Sequence, residues 1–230
     1  MKDIFENITE AKDLADVPIN LELKVPDEMP KHVPIGDLYN MQASSLDMTK
    51  ELLLRSAYIK LGMWGFVSWR WILPFKDWIG NRKCLEIMSG RGWLSYALKL
   101  QGVDIIATDD FSWHKEQFQE WNNTMTDIIN MDAVESVKKY GADVDIVIVS
   151  WPTSDDTTYK ALKELYKVNP KALFVFIGEF DSYISASNDF FDHFLEIEDK
   201  RFEKAADAYQ RWVTYKDSLH LGKYSPIGVY

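Results

Sequence analysis

Short aliphatic segments that alternate with helical segments from residue 83 onward most constrain the fold of this chain. Segments 84–88, 103–108, 144–149 and 172–177 are nearly continuous apolar runs. Such runs are typical of strands that are covered on both faces, as in a parallel sheet. Strands and helices that alternate with short connections form right-handed βαβ units. The sequence therefore predicts an α/β fold with a doubly wound, Rossmann-like, mostly parallel sheet.

Three weaker extended segments complete the prediction, at 127–130, 197–203 and 213–221. Together with the four aliphatic runs they give seven strands. The helices are predicted at 92–101, 132–140, 155–167 and 188–195. Because the last two extended segments leave no room for a full helix between them, we expect them to form an antiparallel hairpin at the C-terminal edge of the sheet.

The region before the first strand has a different composition. Residues 1–43 are polar, with prolines at 18, 26, 30 and 34, and predict an irregular N-terminal arm. Residues 44–80 predict a helical and aromatic extension, whose first helix opens at Ser44 in a capping box with Asp47. The tryptophans of 64–78 are typical of a core or a subunit interface, and a ligand-pocket wall is the alternative. The domain itself is expected to span 81–230.

Charge and composition limit the partners. The net charge of −10 disfavours nucleic acid, because the summed field would repel a phosphate backbone. The four histidines are scattered without metal-ligand spacing, so no metal site is predicted. The most apolar window is interrupted by Arg70 and Pro74, and the chain begins without an apolar signal-type stretch. We expect a cytoplasmic protein with no membrane partner, and no feature fixes its oligomeric state.

The segment after the first aliphatic run holds the most informative motif. A strand ends, a turn with Gly90 and Gly92 follows, and a helix begins. Mononucleotides, dinucleotides and S-adenosylmethionine all bind at turns of this kind. Glu86 lies inside the first strand, where a buried carboxylate is costly unless it is paired. Asp109 and Asp110 end the second strand, where an acid can accept both hydroxyls of a ribose.

The pattern Glu86-x-x-x-Gly90-x-Gly92 resembles the E/D-x-G-x-G-x-G signature of the class I S-adenosylmethionine-dependent methyltransferases. The resemblance implies that Asp109 binds the ribose and that Asp132 and Ala133 contact the adenine. S-adenosyl-L-methionine is the implied cofactor. The full set of implied cofactor-binding residues is Glu86, Met88, Ser89, Gly90, Gly92, Asp109, Asp110, Asp132, Ala133 and Ser150.

Further matches extend the resemblance over roughly residues 64–223. Ser150-Trp151-Pro152 stands where amino-methylating members have a D/N/S-P-P-Y motif. An uncharacterised methyltransferase-like group has S-W-x-I-P, E-I-x-A-G-x-G-Y/W, V/S-W-P-P and I/V-G-E in this order. Segments 68–74 and 177–179 are similar to its first and last motifs. The implied acceptor-side and catalytic residues are Ser150, Trp151 and Glu179, with Glu179 orienting or deprotonating the acceptor.

Two residues depart from the family pattern. Met88 replaces the first glycine of the signature, and Thr153 replaces the second proline of the fourth-strand motif. We therefore keep two hypotheses: a methyltransferase acting on a small-molecule or protein acceptor, and a non-catalytic binding or scaffold protein of the same fold. A dinucleotide-dependent reductase is a third, disfavoured by Glu86 and the edge hairpin.

Several residues have a simpler alternative role. Asp132 also fits a helix N-cap, and both roles can coexist. Asp110 is interpreted as a solvated neighbour of Asp109. Trp113 could lie against the adenine or pack at a helix start.

Overall fold

The computed structural model describes residues 23–29, 54–112, 124–212 and 215–229. Residues 25–29 and those from 62 onward form one compact unit, and residues 54–60 are helical within another. The predicted helix start at Ser44 and the predicted role of Trp113 lie outside the described residues. No helix in these ranges is long and apolar enough to cross a membrane.

Seven strands form a single sheet within the described residues. Their order across the sheet is β3-β2-β1-β4-β5-β7-β6. All neighbours pair in parallel except β7, which is antiparallel to both β5 and β6. The strands are β1 (Cys84–Ile87), β2 (Ile105–Asp109), β3 (Ile129–Asn130), β4 (Ile146–Ser150), β5 (Leu173–Glu179), β6 (Phe194–Glu196) and β7 (Asp217–Tyr224).

Helices connect these strands. A 3₁₀ turn at Gly141–Asp143 precedes β4. The helices of the compact unit are α1 (Trp69–Ile79), α2 (Trp93–Leu100), α3 (Ala133–Tyr140), α4 (Thr157–Val168), α5 (Asn188–His193) and α6 (Lys200–Ala208). The α/β class, the seven-stranded mostly parallel sheet and the antiparallel C-terminal strand are confirmed.

The predicted direct connection between the last two strands is wrong. Residues 200–203, expected in the sixth strand, belong to α6, and the strand itself lies earlier, at Phe194–Glu196. The Asp199 carboxylate accepts hydrogen bonds from the Arg201 and Phe202 amides at 2.8 and 3.3 Å, which caps the helix. Phe202 and Ala205 are both buried at helical spacing. A capped amphipathic helix, α6, therefore forms where the short apolar pattern predicted a strand.

The aromatic segment contributes mainly to the core, as the first interpretation proposed. Trp71 is 1% exposed, and the Trp78 ring packs edge-on against Phe202 of α6 at 4.9 Å. The first amide of α1, that of Trp69, donates to the Pro26 carbonyl at 2.9 Å. Residues 25–29 thus satisfy helix N–H groups that would otherwise lack partners. The domain boundary near residue 81 stays a prediction.

The central strands place the site. β1, β4 and most of β5 are buried, as expected for strands between layers of helices. Their carboxyl ends, with that of β2, lie at one edge of the sheet because they run parallel. In open α/β sheets, ligands bind at this edge.

Candidate functional site

The turn after β1 is held by backbone hydrogen bonds on both sides. The Ser89 amide donates to the Thr108 carbonyl of β2 at 3.0 Å, and the Gly92 amide donates to the Ser89 carbonyl at 2.8 Å. Met88, Gly90 and Gly92 have positive φ angles of 53°, 55° and 81°. Glycine adopts this left-handed backbone without steric cost, which explains the two glycines of the turn.

Gly90 and Gly92 meet different surroundings. A Cβ at Gly92 would lie 2.9 Å from Ile128 Cδ1 and 3.1 Å from Thr126 Cγ2, so the segment before β3 occupies that space. A Cβ at Gly90 would have no heavy atom of the described residues within 4 Å. Gly92 therefore allows the chain to pack on itself, whereas Gly90 leaves its backbone open to an approaching molecule.

Glu86 is paired inside the domain. It is 2% exposed, and its Oε2 accepts hydrogen bonds from the Ser95 amide, at 3.0 Å, and from the Ser95 hydroxyl. Burial raises the pKa of Glu86 to about 7, although both Ser95 hydrogen bonds oppose that rise. This carboxyl group links β1 to the first turn of α2, the two elements that flank the Gly90 turn.

Asp109 joins the turn to the loop after β2. Its Oδ2 accepts from the Gly90 amide and its Oδ1 from the Phe111 amide, both at 2.7 Å. Asp109 is 3% exposed, while Asp110 is exposed and accepts from the Ser112 amide at 2.8 Å. The structure thus brings Asp109, and not Asp110, against the glycine turn.

Ser89 has an unsatisfied polar atom at the turn. Its hydroxyl oxygen is buried and has no hydrogen-bond partner among the described residues. Buried polar atoms normally have partners, and exceptions call for an explanation such as a ligand. Ser89 and Gly90 together offer a hydroxyl and an open backbone on the same turn.

Met88 turns its side chain away from this opening. Its side chain is half-buried and packs against the core cluster that includes Leu85, Ile87, Ala133 and Val137. A non-glycine residue with φ of 53° is uncommon and strained. The packing therefore holds a backbone conformation that glycine would adopt without cost.

Asp132 and Ala133 begin α3 beyond the third strand. The Asp132 Oδ1 accepts from the Val134 and Glu135 amides at 2.8 and 3.2 Å, so the N-cap interpretation is confirmed. Asp132 is exposed, while Ala133 is 4% exposed and faces the core. Their predicted contact with an adenine stays a prediction.

A second group of predicted residues lies at the ends of β4 and β5. Ser150 ends β4, and Trp151 follows with a φ of 52° and an amide that donates to the Ile177 carbonyl at 2.7 Å. Glu179 ends β5; its Oε1 accepts from the Lys216 amide at 2.6 Å and its Oε2 from the Ser182 hydroxyl at 3.1 Å. Parallel pairing of β4 with β5 brings these residues to one rim.

Sequence reasoning missed the residues that hold Trp151. The Oδ2 of Asp217, the first residue of β7, accepts from Trp151 Nε1 at 3.1 Å and from the Tyr209 hydroxyl at 2.6 Å. Asp217 lies opposite Glu179 in the β5–β7 register. Burial raises the pKa of Asp217, and burial together with the nearby Asp217 raises that of Tyr209. No motif spacing marked either residue, because an antiparallel pairing between distant segments brings them together.

We call the first group, at the ends of β1 and β2, the glycine rim, and the second, around Trp151, Glu179 and Asp217, the tryptophan rim. In the sheet order, β4 separates β5 from β1, and β1 separates β4 from β2. The two rims are therefore adjacent along one edge.

No protein-family model matches the chain, and no curated protein does. Solved structures do match. A S-adenosylmethionine-dependent methyltransferase from Archaeoglobus fulgidus is 17% identical, with 73% of this chain and 93% of that chain covered and a TM-score of 0.42. A TehB-like methyltransferase from Corynebacterium glutamicum is 13% identical, with 76% and 98% covered and a TM-score of 0.41.

A third similar structure is the Burkholderia thailandensis 1,6-didemethyltoxoflavin-N1-methyltransferase with its substrate and S-adenosylhomocysteine bound. It is 12% identical, with 87% of this chain and 94% of that chain covered and a TM-score of 0.43. The strand order of the present chain, with β7 inserted antiparallel between β5 and β6, is the Rossmann-like, mostly parallel fold with an antiparallel C-terminal strand that the sequence predicted.

Proposed function

We propose that this protein binds S-adenosyl-L-methionine at the glycine rim and transfers its methyl group to an acceptor at the tryptophan rim. The observation that supports this most directly is the pairing of an open Gly90 backbone with the buried Asp109 carboxylate, which accepts from the Gly90 amide at 2.7 Å. This pair lies at the carboxyl ends of β1 and β2, the edge where open α/β sheets generally bind ligands, and this supports the proposal.

The residues of the glycine rim fit an adenosyl group with a charged amino-acid tail. Asp109 lies against the Gly90 turn at the end of β2, and its carboxylate would accept the ribose hydroxyls. The Ser89 hydroxyl, which lacks a partner among the described residues, would bind a polar atom of the cofactor. Glu86 would act indirectly, by fixing the start of α2 through Ser95.

The chemistry demands little from the protein beyond alignment. A sulfonium methyl group is already electrophilic, so the protein must orient the acceptor and exclude water. Glu179 is half-buried at the adjacent rim and is the group we assign to orient or deprotonate the acceptor. A small molecule or a protein would serve as acceptor.

Parallel calorimetric titrations test the cofactor assignment. S-adenosylmethionine and S-adenosylhomocysteine should bind, and NAD should not. Binding of NAD without binding of either adenosyl compound would favour the reductase hypothesis and reject the methyltransferase. The variant Gly90→Val should lose the binding of both adenosyl compounds, because the valine side chain would occupy the space beside the backbone of residue 90.

The non-catalytic scaffold remains the second candidate, and Met88 is the observation that favours it. A strained methionine stands where the family signature has glycine. The scaffold hypothesis gains support if S-adenosylhomocysteine binds but no candidate acceptor receives a labelled methyl group from S-adenosylmethionine.

A further inference from the structure

The tryptophan rim holds two carboxylates without a matching cation. Glu179 and Asp217 face each other in the β5–β7 register, and the charge on Glu179 contributes to the raised pKa of Asp217. Among the residues that the structure describes, no ion pair includes either one. Both oxygens of Glu179 accept a hydrogen bond from a neutral donor, the Lys216 amide or the Ser182 hydroxyl, so its charge has no cationic partner among the described residues.

Only one oxygen of the Asp217 carboxylate accepts hydrogen bonds from described side chains. Both described side-chain donors, Trp151 Nε1 and the Tyr209 hydroxyl, reach Oδ2. Oδ1 is buried without a hydrogen-bond partner in the described part of the chain, and the residue as a whole is 1% exposed. A buried carboxylate oxygen without a partner is costly, and burial accordingly raises the pKa of Asp217.

Aromatic rings flank these carboxylates. The Trp151 and Tyr215 rings pack edge to face with centroids 5.1 Å apart, and both are half-buried. A Cβ at Gly65 would lie 2.8 Å from Trp151 Cδ1, so the backbone there fixes one side of the indole. Aromatic faces attract cations, and the attraction strengthens where water is partly excluded.

We propose that the tryptophan rim recognises a positively charged amine. Glu179 is its ion-pair partner, the Trp151 and Tyr215 rings are its walls, and Asp217 is a positioning residue that holds the Trp151 indole. The inference rests on the proposed function only where it identifies the amine-bearing molecule as the methyl acceptor; recognition of the amine itself does not.

Three indole compounds of similar size test the preference for positive charge. The protein is titrated with tryptamine, with neutral 3-ethylindole and with anionic indole-3-propionate, with and without S-adenosylhomocysteine. Tryptamine should bind about tenfold more tightly than 3-ethylindole, and the anion should bind most weakly. Equal binding of tryptamine and 3-ethylindole, or no tryptamine binding, would overturn the proposal.

Substitutions show which residues cause the preference for the positively charged compound. Glu179→Gln should lower the affinity for tryptamine until it equals the affinity for 3-ethylindole. The affinity for 3-ethylindole should not change. Asp217→Asn should weaken the binding of both compounds, since it loosens the indole wall. Asp104→Asn is the matched control: this exposed aspartate precedes β2, at the opposite edge of the sheet, and its change should alter neither affinity.

A second variant keeps the test valid if Asp217→Asn does not fold. Tyr215→Leu removes one aromatic wall and leaves both carboxylates, and should reduce the tryptamine preference several-fold. A preference that survives both Glu179→Gln and Tyr215→Leu contradicts the proposal. Failure of S-adenosylhomocysteine to bind, with the amine preference intact, would instead reject the proposed cofactor and leave the amine site standing.

Discussion

The two rims of the sheet differ in how their buried carboxylates are satisfied. At the glycine rim, Glu86 and Asp109 accept hydrogen bonds from Ser95, Gly90 and Phe111, including three backbone amides. At the tryptophan rim, the described side-chain donors to Asp217 are an indole and a phenol, and one oxygen has none. Backbone amides are fixed by the fold, whereas ring donors move with their side chains.

Under the proposed function, this difference fits a separation of the cofactor site from the acceptor site. A rim built from backbone amides has a geometry that the fold fixes, as the proposed cofactor site requires. A rim built from side chains can be changed by substitution with less effect on the sheet, as the proposed acceptor site requires. Substitutions at the two rims should therefore have different consequences, which the following predictions measure.

The largest effect is expected at Gly92. Gly92→Ala adds a Cβ 2.9 Å from Ile128 Cδ1 on a residue with φ of 81°. Strain and overpacking together should lower the free energy of unfolding by about 4 kcal/mol, as measured by urea denaturation. Gly90→Ala, whose Cβ meets no described atom, should cost only about 1 kcal/mol of backbone strain while weakening cofactor binding. Equal destabilisation by the two changes would contradict the distinction between packing and binding glycines.

The buried Glu86 should make stability depend on pH. Its pKa is raised from 4.5 to about 7 in the folded protein, so folding is favoured when the carboxyl is protonated. Stability is fully present below about pH 4.5 and is lost as the pH rises through 7, by about 3 kcal/mol. Urea denaturation of wild type and Glu86→Gln between pH 4.5 and 8 should show this loss in the wild type alone. The control Glu203→Gln, an exposed carboxylate of α6, should retain the wild-type pH dependence.

The glycine rim was largely predictable because its parts lie close in sequence. Glu86, Gly90 and Asp109 belong to one βαβ unit, and a strand, a turn and a strand end have recognisable compositions. The sheet was predictable for the same reason, since aliphatic runs mark β1, β4 and β5. Within this rim the sequence did not reveal that Ser95 binds Glu86, because a serine in a helix has no distinctive pattern.

The tryptophan rim was only half predictable. Trp151 and Glu179 follow recognisable strands, but Asp217 and Tyr209 reach them through the β5–β7 pairing and the unexpected helix α6. Phe202 packs on Trp78, a contact that is distant in sequence and that local patterns do not encode. The Asp199 cap, in contrast, is a local signal that the sequence interpretation did not use.

Asp109 tests whether the glycine rim binds the cofactor. Asp109→Ala should weaken S-adenosylhomocysteine binding by about 1–3 kcal/mol, the cost of lost hydrogen bonds to a charged group. Calorimetry with Asp110→Ala as the matched control should show no change, because Asp110 is exposed and contacts Ser112 instead. The assignment of the ribose acid fails if the Asp110 variant loses more affinity than the Asp109 variant.

Trp151 tests the independence of the rims. Trp151→Phe removes the Nε1 donor to Asp217 and should cost about 1–2 kcal/mol of unfolding free energy. Affinity for S-adenosylhomocysteine should not change, because the contact lies at the other rim. Trp69→Phe, on α1, serves as the control for loss of indole area. A parallel fall in cofactor affinity would show that the two rims form one coupled site.

The smallest effect is expected at Met88, where enzyme and scaffold hypotheses separate. Its side chain packs against the core cluster and not toward the open Gly90 backbone, so removing it should not open the site. Met88→Gly relieves the strain of a φ of 53° but loses that packing and adds freedom to the unfolded chain. We therefore expect S-adenosylhomocysteine affinity within about 1 kcal/mol of the parent by calorimetry. An affinity gain of several orders of magnitude would mean that Met88 obstructs the site, and the natural protein would then be a methyltransferase fold that no longer uses its cofactor.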